Sequence, residues 1–169
     1  MDFFRDLGNE NLSPVGRLDR ETEGLLLVTD DGMWNREMTR PEFCKEKRYE
    51  FAVMGELTAE RISMLESGIA LHGSEVLTAP AKITVTGMSV LGDVLSQLHP
   101  EIAEKSKHNP KDRPVTFGSI VITEGKRRQI RRMMKQVHCL VLQLKRISMG
   151  DIVLDETLAP GEWKEITVK

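Results

Sequence analysis

Apolar and polar positions alternate along much of the chain in short segments, as they do in half-buried strands. In the clearest segment Tyr49, Phe51 and Val53 share one face, and the two residues between them share the other. Elsewhere short apolar runs, bounded by turn residues, read as buried strands. The pattern predicts strands at 24–29, 49–54, 81–86, 115–123, 140–147 and 163–168.

Helical spacing separates several of these strands. The turn residues before position 33 predict a short helix at 33–39. Thr58 is placed to cap a second helix, which Gly68 is expected to end. Strands followed by single helices, with several hairpins, predict an α+β fold with a central mixed or antiparallel sheet and flanking helices. We expect one domain over residues 1–169.

The stretch between the third and fourth predicted strands is harder to interpret. Its apolar residues at 90–98 have helical spacing, and Pro100 is expected to end that pattern. The polar tract 104–113 reads as an exposed loop. The sequence assigns no role to this insert.

A strongly basic segment follows the fourth strand. On a helix Ile130, Met133, Met134 and Val137 form one apolar stripe. The opposite side is basic, and from position 126 to 135 there are six basic residues and no acid. A solvated face usually mixes charges, since like charges repel. A solvated charged face is the alternative interpretation, but the absence of acids favours a nucleic-acid partner. The basic side carries Arg128, Arg131, Arg132 and Lys135.

Composition narrows the class of protein. The chain of 169 residues has a net charge of −2, so the basic charge is localised within a slightly acidic molecule. No stretch approaches the ~20 apolar residues of a membrane span, and the start lacks a signal-peptide pattern. Cys44 and Cys139 stand far apart, and the four histidines lack metal-like spacing. We therefore expect no metal, no membrane and a reduced cytoplasmic setting.

Asp19 stands in a charged turn directly before the first apolar run. An acid in this position either binds backbone amides of the turn or faces a substrate. Taken alone, it favours the structural interpretation. The basic segment about a hundred residues later favours the substrate interpretation.

Together these segments resemble the pseudouridine synthases that modify ribosomal RNA, of the small-subunit type and its close large-subunit relatives. The resemblance covers nearly the whole chain apart from about 88–114. Several motifs in the same order are more specific than Gly-Arg-Leu-Asp alone. The resembling segments are Pro14-Val15-Gly16-Arg17-Leu18-Asp19, Thr22-Glu23-Gly24-Leu25-Leu26, Lys47-Arg48-Tyr49, Glu124-Gly125-Lys126, Arg128-Gln129-Ile130-Arg131-Arg132-Met133 and Leu144-Lys145-Arg146-Ile147.

The resemblance implies a fold with a cleft across the sheet, the conversion of uridine to pseudouridine in ribosomal RNA, and no cofactor. It assigns the reactive carboxylate to Asp19, as nucleophile or base, and a cationic partner for it to Arg131. It assigns to Tyr49 the stacking on the flipped uracil. From the residues alone, Tyr49 reads as a half-buried strand aromatic and Arg131 as one more phosphate contact. The expected RNA-binding residues are Arg17, Lys126, Arg127, Arg128, Gln129, Arg132 and Lys135.

The expected partner is ribosomal RNA or an assembly intermediate of a ribosomal subunit. The segments 71–73 and 77–81 look closer to the small-subunit branch. The relatives usually carry an amino-terminal S4-type domain and a strand with Lys-Pro-x-Gly, and neither is in this sequence. Residues 3–7 resemble the short helix that lies shortly before Gly-Arg-Leu-Asp in the relatives, so the chain is expected to begin inside the catalytic domain.

An uncovered sheet edge then predicts a homodimer, or a marginal monomer that aggregates. An RNA-binding remnant with little activity is the alternative to a working enzyme.

Overall fold

The computed structural model describes residue 9 and residues 11–167. The segment 3–7 therefore lies outside the described residues. Two short 3₁₀ turns, Pro41–Phe43 and Leu95–Gln97, accompany the regular elements. The strands are β1 Ser13–Pro14, β2 Glu23–Gly24, β3 Val28–Thr29, β4 Lys47–Met54, β5 Lys82–Val90, β6 Pro114–Ile122, β7 Leu140–Met149 and β8 Ile152–Val153, and the helices are α1 Gly32–Thr39, α2 Ala59–Glu66, α3 Leu91–Val94, α4 Pro100–Ser106 and α5 Gln129–Gln136.

A six-stranded sheet organises the described part of the chain, in the order β2-β7-β4-β6-β5 with β8 beside β7. The pair β2–β7 is parallel, and the other pairs of this sheet are antiparallel. Strands β1 and β3 form a separate two-stranded ribbon. The predicted α+β fold with a mixed sheet and flanking helices is confirmed.

Strand β4 lies at the centre of the sheet and divides the core as predicted. Tyr49, Phe51 and Val53 pack in one cluster with the apolar sides of α2 and α5. Ala52 and Met54 face the opposite cluster, which contains apolar residues of α3 and α4. The insert between β5 and β6 therefore packs against the sheet's second face.

The predicted helices at 33–39 and after Thr58 are confirmed. The Asp31 carboxylate accepts the Met33 and Trp34 amides at the start of α1. Thr58 caps α2 by accepting the Arg61 amide at 3.4 Å. These side chains satisfy amides that have no partner within the helix.

The predicted strand at 24–29 is wrong in its middle. Only Gly24 and its neighbour Glu23 pair with β7, and only Val28 and Thr29 pair with β1. Gly24 has a φ of +95°, and a Cβ there would collide with the Arg146 carbonyl. The chain bends away from the sheet after this close approach, and Leu26 is left 44% exposed.

The insert matches its prediction in part. The helical pattern at 90–98 ends before Pro100 as predicted, since Leu98 has an extended backbone. Pro100 then begins α4, which was not predicted, because proline at the first helical position loses no hydrogen bond. The His99 Nδ1 accepts the Glu101 amide and caps this helix. Helix α4 takes the start of the predicted loop 104–113. The predicted strand at 163–168 is wrong, since residues 163–167 form none and Val168 lies outside the described residues.

Candidate active site

The loop that carries Asp19 is held at both ends. Gly16, with a φ of +70°, turns the chain out of the β1–β3 ribbon, where Val15 and Leu27 are buried. The Thr22 amide donates to the Asp19 carbonyl at 2.9 Å and closes a tight turn. Beyond this turn β2 joins the main sheet. The loop therefore presents the Asp19 side chain, 27% exposed, from a fixed backbone.

Arg131 of α5 reaches this loop from the other side. Its side chain is 10% exposed, and its Nε lies 3.7 Å from Asp19 Oδ2. The Nη2 donates to the Glu21 carbonyl at 2.9 Å, and the Nη1 donates to the Val141 carbonyl at 3.3 Å. The Nε has no hydrogen-bond partner. Asp19 and Arg131 thus form an ion pair that is too long for a hydrogen bond.

Burial and the neighbouring charges act on the pKa of Arg131 in different directions. Burial lowers the pKa of the Arg131 guanidinium, and the neighbouring Arg128 lowers it too. The Glu21 and Asp19 carboxylates act in the opposite direction, and Glu21 has the larger effect. Arginine starts from so high a pKa that the group stays a cation.

A cavity of about 370 Å³ opens between the Asp19 loop and the start of α5. Asp19 and Tyr49 both line it, and Tyr49 is 8% exposed, on the α5 side of the sheet. This volume is in the range of small-ligand sites. The rest of the lining comes from the loop 16–18 and Thr22, from residues 125–130, and from Ile122 and Leu144.

The basic segment is not one helical face. Arg128 has a φ of +51° and precedes α5, so the predicted alignment of Arg128 with the helical cations is wrong. The Gln129 amide donates to the Lys126 carbonyl at 3.0 Å, which closes a turn before the helix begins. Residues 126–128 therefore form a loop at the mouth of the cavity, next to exposed Arg17.

Four of the predicted RNA-binding residues have contacts within the protein, and one of them is Arg128, which lies 3.6 Å from Glu21. Gln129 is 4% exposed, and its side chain bonds the Lys126 amide and the Glu124 carboxylate. Arg132 donates to the His72 carbonyl at 2.8 Å. Lys126 donates to the Leu77 carbonyl and lies 3.3 Å from Glu124. Arg127 and Lys135 are exposed.

Glu21 is a site residue that the sequence reasoning missed. Its side chain is 8% exposed, and its Oε2 lies 3.6 Å from Arg128 Nη2. Burial tends to raise the pKa of Glu21, but its own backbone amide and the cations Arg128, Arg131 and Lys105 lower it overall. No local signal in the sequence marks Glu21, because its partners lie more than a hundred residues along the chain.

A second cavity, of about 450 Å³, lies along the sheet near the insert and includes Arg48, Glu50 and His99. It contains neither Asp19 nor Tyr49, so the chemistry predicted from the sequence belongs to the smaller cavity.

Among the described residues no group of three His, Cys, Asp or Glu side chains is placed to hold a metal. No helix of the described chain is long and apolar enough to cross a membrane.

Several known proteins are similar to this chain in sequence, and a solved structure is similar to it in fold. The ribosomal large subunit pseudouridine synthase E of Vibrio parahaemolyticus is 37% identical over 152 residues, which are 90% of this chain and 59% of that protein. The ribosomal small subunit pseudouridine synthase A of Vibrio cholerae is 34% identical over 158 residues, which are 94% of this chain and 57% of that protein.

A crystal structure of a pseudouridylate synthase superposes with a TM-score of 0.76 at 30% identity, over 98% of this chain and 60% of that one. The chain thus spans less than two thirds of these relatives. The family profile described as RNA pseudouridylate synthase matches residues 2–136. The chain belongs to the RNA pseudouridylate synthase family.

Proposed function

We propose that this chain converts a uridine of ribosomal RNA to pseudouridine. The observation that carries the proposal is the carboxylate of Asp19 at a cavity that Tyr49 also lines, with Arg131 behind it and a basic loop at its mouth. The comparisons support the reaction class, since the relatives are named as pseudouridine synthases.

The reaction is an isomerisation, so its atoms balance without a cofactor. The bond between N1 of uracil and C1′ of ribose breaks, the base turns over, and a bond forms between C5 and C1′. The proton on C5 leaves to solvent and N1 takes up a proton. In this proposal Asp19 serves as nucleophile at the sugar or as base, and both roles require an ionised carboxylate.

Arg131 is proposed to keep Asp19 ionised when RNA covers the site. Binding RNA removes water from the carboxylate, and desolvation by itself favours the neutral acid. A fixed guanidinium at 3.7 Å opposes that effect. Its two hydrogen bonds to carbonyl groups hold it in place before the substrate arrives.

Tyr49 is proposed to stack on the extruded uracil. Its ring stands on the central strand and lines the cavity opposite the Asp19 loop. Stacking of a base on an aromatic ring contributes about 1–3 kcal/mol. Extrusion from a helix costs a few kcal/mol, so a loop or distorted RNA is the better substrate.

The exposed cations near the mouth are proposed to bind phosphates. Arg17, Arg127 and Arg128 line the cavity and are exposed, and Lys135 continues the basic surface along α5. Lys126 and Arg132 combine an RNA contact with their bonds to the loop 72–77. We assign Gln129 to the support of the basic loop, because it is buried.

Four further proposals concern the type of ribosomal RNA, its form, the cellular location and the oligomeric state. Relatives of both ribosomal-subunit types match this chain at similar identity. We propose small-subunit RNA because the segments 71–73 and 77–81 look closer to the small-subunit branch. We also propose an assembly intermediate as the form of the substrate, the cytoplasm as the location, and a homodimer through a sheet edge.

Tritium release from C5-labelled uridine in ribosomal RNA tests the function. Asp19→Asn keeps the size of the side chain and removes its charge, so we expect release to stop while the protein stays folded and binds RNA. Asp112→Asn, an exposed loop substitution, is the matched control and should release tritium at the wild-type rate. A turnover in Asp19→Asn of about a tenth of wild type or more, a loss of only ~1.4 kcal/mol, would show that Asp19 is not the reactive group. If the wild-type chain binds ribosomal RNA but releases no tritium from free RNA or from ribosomal subunits, the result would favour the alternative of an RNA-binding remnant with little activity.

A further inference from the structure

An acid just after strand β6 lies at the centre of the contacts around the basic loop, residues 126–128. Glu124 stands two residues beyond β6, and only 12% of its side chain is exposed. Its Oε1 accepts two hydrogen bonds, from the Gln129 Nε2 at 2.7 Å and from the Ala79 amide at 3.0 Å. Its Oε2 lies 3.3 Å from the Lys126 Nζ. One carboxylate thus connects helix α5, the basic loop and the segment before β5.

Gln129 extends this contact to the backbone of the basic loop. Its side-chain Oε1 accepts the Lys126 amide at 2.9 Å, and its own amide donates to the Lys126 carbonyl at 3.0 Å. Because Gln129 is only 4% exposed, the acceptor for its Nε2 must come from within the protein, and Glu124 provides it. Both backbone polar groups of Lys126 are therefore held by a residue whose side chain Glu124 orients.

The basic loop needs such support because its conformation is unfavourable. Arg128 has a φ of +51°, in the left-handed region that residues other than glycine rarely adopt. The three successive cations of the loop also repel one another. A segment of this kind without support would sample many conformations, and RNA binding would have to order it. The hydrogen bonds of Glu124 and Gln129 order it in the free chain.

We propose that Glu124 is a positioning residue, which fixes the basic loop at the mouth of the cavity before RNA arrives. Glu124 itself binds no RNA in this proposal and acts through Gln129 and Lys126. The consequence for RNA binding rests on the function proposed above. The order of the loop in the free chain does not, because it depends only on contacts within the protein.

The sign of the effect on RNA binding separates positioning from simple electrostatics. An acid beside a basic loop repels phosphates, so charge alone predicts that any neutral side chain at position 124 strengthens RNA binding. Positioning predicts the opposite for a side chain that is a poor hydrogen-bond acceptor. Two neutral variants of similar length make the comparison, since Glu124→Gln keeps a carbonyl acceptor and Glu124→Met offers only a weakly accepting sulfur.

Glu124→Met should weaken the binding of ribosomal RNA by about 10-fold. Ordering the backbone of one residue at the moment of binding costs roughly this factor. In tritium release KM should rise about 10-fold, while kcat at saturating RNA stays within about 2-fold of wild type. Glu124→Gln should bind RNA at least as tightly as wild type. Equal Kd values for the two variants would overturn the proposal, as would a fall in kcat without a change in affinity.

Glu75→Gln is the matched control, because Glu75 is an exposed acid of the neighbouring loop 72–77. It makes the same charge change as Glu124→Gln and should leave Tm, the order of the basic loop and kcat unchanged. Tm should fall in Glu124→Met, since two donors lose their acceptor. A merely structural role predicts that lower Tm together with wild-type RNA affinity in the folded chain, and this result would refute the positioning role.

Hydrogen exchange of the wild-type chain tests the loop without any RNA. The amides of Lys126 and Ala79 lie outside helices and strands, yet both donate to side chains of this network. We expect both to exchange at least about 10-fold more slowly than unstructured amides, and to lose that protection in Glu124→Met. Unprotected amides in the wild-type chain would overturn the proposal even if no variant folds. Protected amides and the expected RNA affinities in a chain that releases no tritium would refute the proposed function and leave the inference about Glu124 standing.

Discussion

Arg131→Met removes the charge that connects Asp19, Glu21 and strand β7. Methionine keeps most of the apolar volume of the arginine stem, so little cavity is created. The substitution removes hydrogen bonds to the Glu21 and Val141 carbonyls and the ion pair with Asp19. It leaves the Asp19 carboxylate without the cation that lies 3.7 Å from it.

The expected loss of stability is about 3 kcal/mol. Breaking a buried ion pair by removing one partner costs about 3–5 kcal/mol, because the remaining charge is uncompensated. The lower end applies here because 27% of the Asp19 side chain reaches solvent and can be hydrated. For a domain of this size, that loss lowers Tm by about 6–12 °C. A stability of at least about 5 kcal/mol keeps most of the variant folded at room temperature.

Urea unfolding gives the free energy, and tritium release gives the turnover. Arg127→Met is the control, since Arg127 is exposed at the cavity mouth and its removal should change the free energy of unfolding by no more than about 0.5 kcal/mol. Turnover at saturating RNA should fall in Arg131→Met, with a smaller effect on affinity. An Arg131→Met chain within about 1 kcal/mol of wild type would show that Arg131 and Asp19 do not behave as a buried ion pair.

Three further predictions concern Arg128, Glu21 and the edge of the sheet. Arg128→Ala should weaken RNA binding and make the slope of log K against log salt shallower by about 0.7–0.9; an unchanged slope would contradict a phosphate contact. The pKa of Glu21 is lowered in the folded chain, so its contribution to stability is present above the unfolded pKa and is lost as pH falls through the folded value. Acid titration of unfolding should therefore be less steep in Glu21→Gln than in wild type, and equal curves would disprove the linkage. Sedimentation at several concentrations should show association through a sheet edge, with exposed Val85 and Met88 on β5 as one available surface, whereas a concentration-independent monomer would exclude the dimer.

The sequence predicted the fold class and the helices with good caps, because their signals are local. Thr58 and Gly68 mark α2 within a few residues of its ends. The helical pattern before Pro100 ends as predicted, but the helix that Pro100 begins was not predicted, since proline both ends helices and begins them. Ile102 of this helix packs with Leu98 against the second face of the sheet.

The candidate site could be predicted only in part, because its contacts join distant segments. Motifs locate Asp19, Tyr49 and Arg131 one by one. The contact between Arg131 and the Glu21 carbonyl spans 110 residues, and no local pattern encodes it. Glu21 lies in the predicted turn yet reads there as one more charged surface residue. The burial of its side chain becomes visible only when α5 is placed against the loop that carries Glu21.

The six cations of the basic segment look equivalent in the sequence, but their contacts divide them. Arg131 is paired with Asp19, Arg128 is paired with Glu21, and Arg132 and Lys126 donate to carbonyl groups of the loop 72–77. Cations with such partners release fewer counterions when RNA binds, because the number released depends on the phosphates they neutralise. The salt dependence of RNA binding should therefore correspond to fewer phosphates than six. The segment is as much a scaffold for Asp19 as a surface for RNA, and this explains how one short stretch supports both the proposed chemistry and the proposed binding.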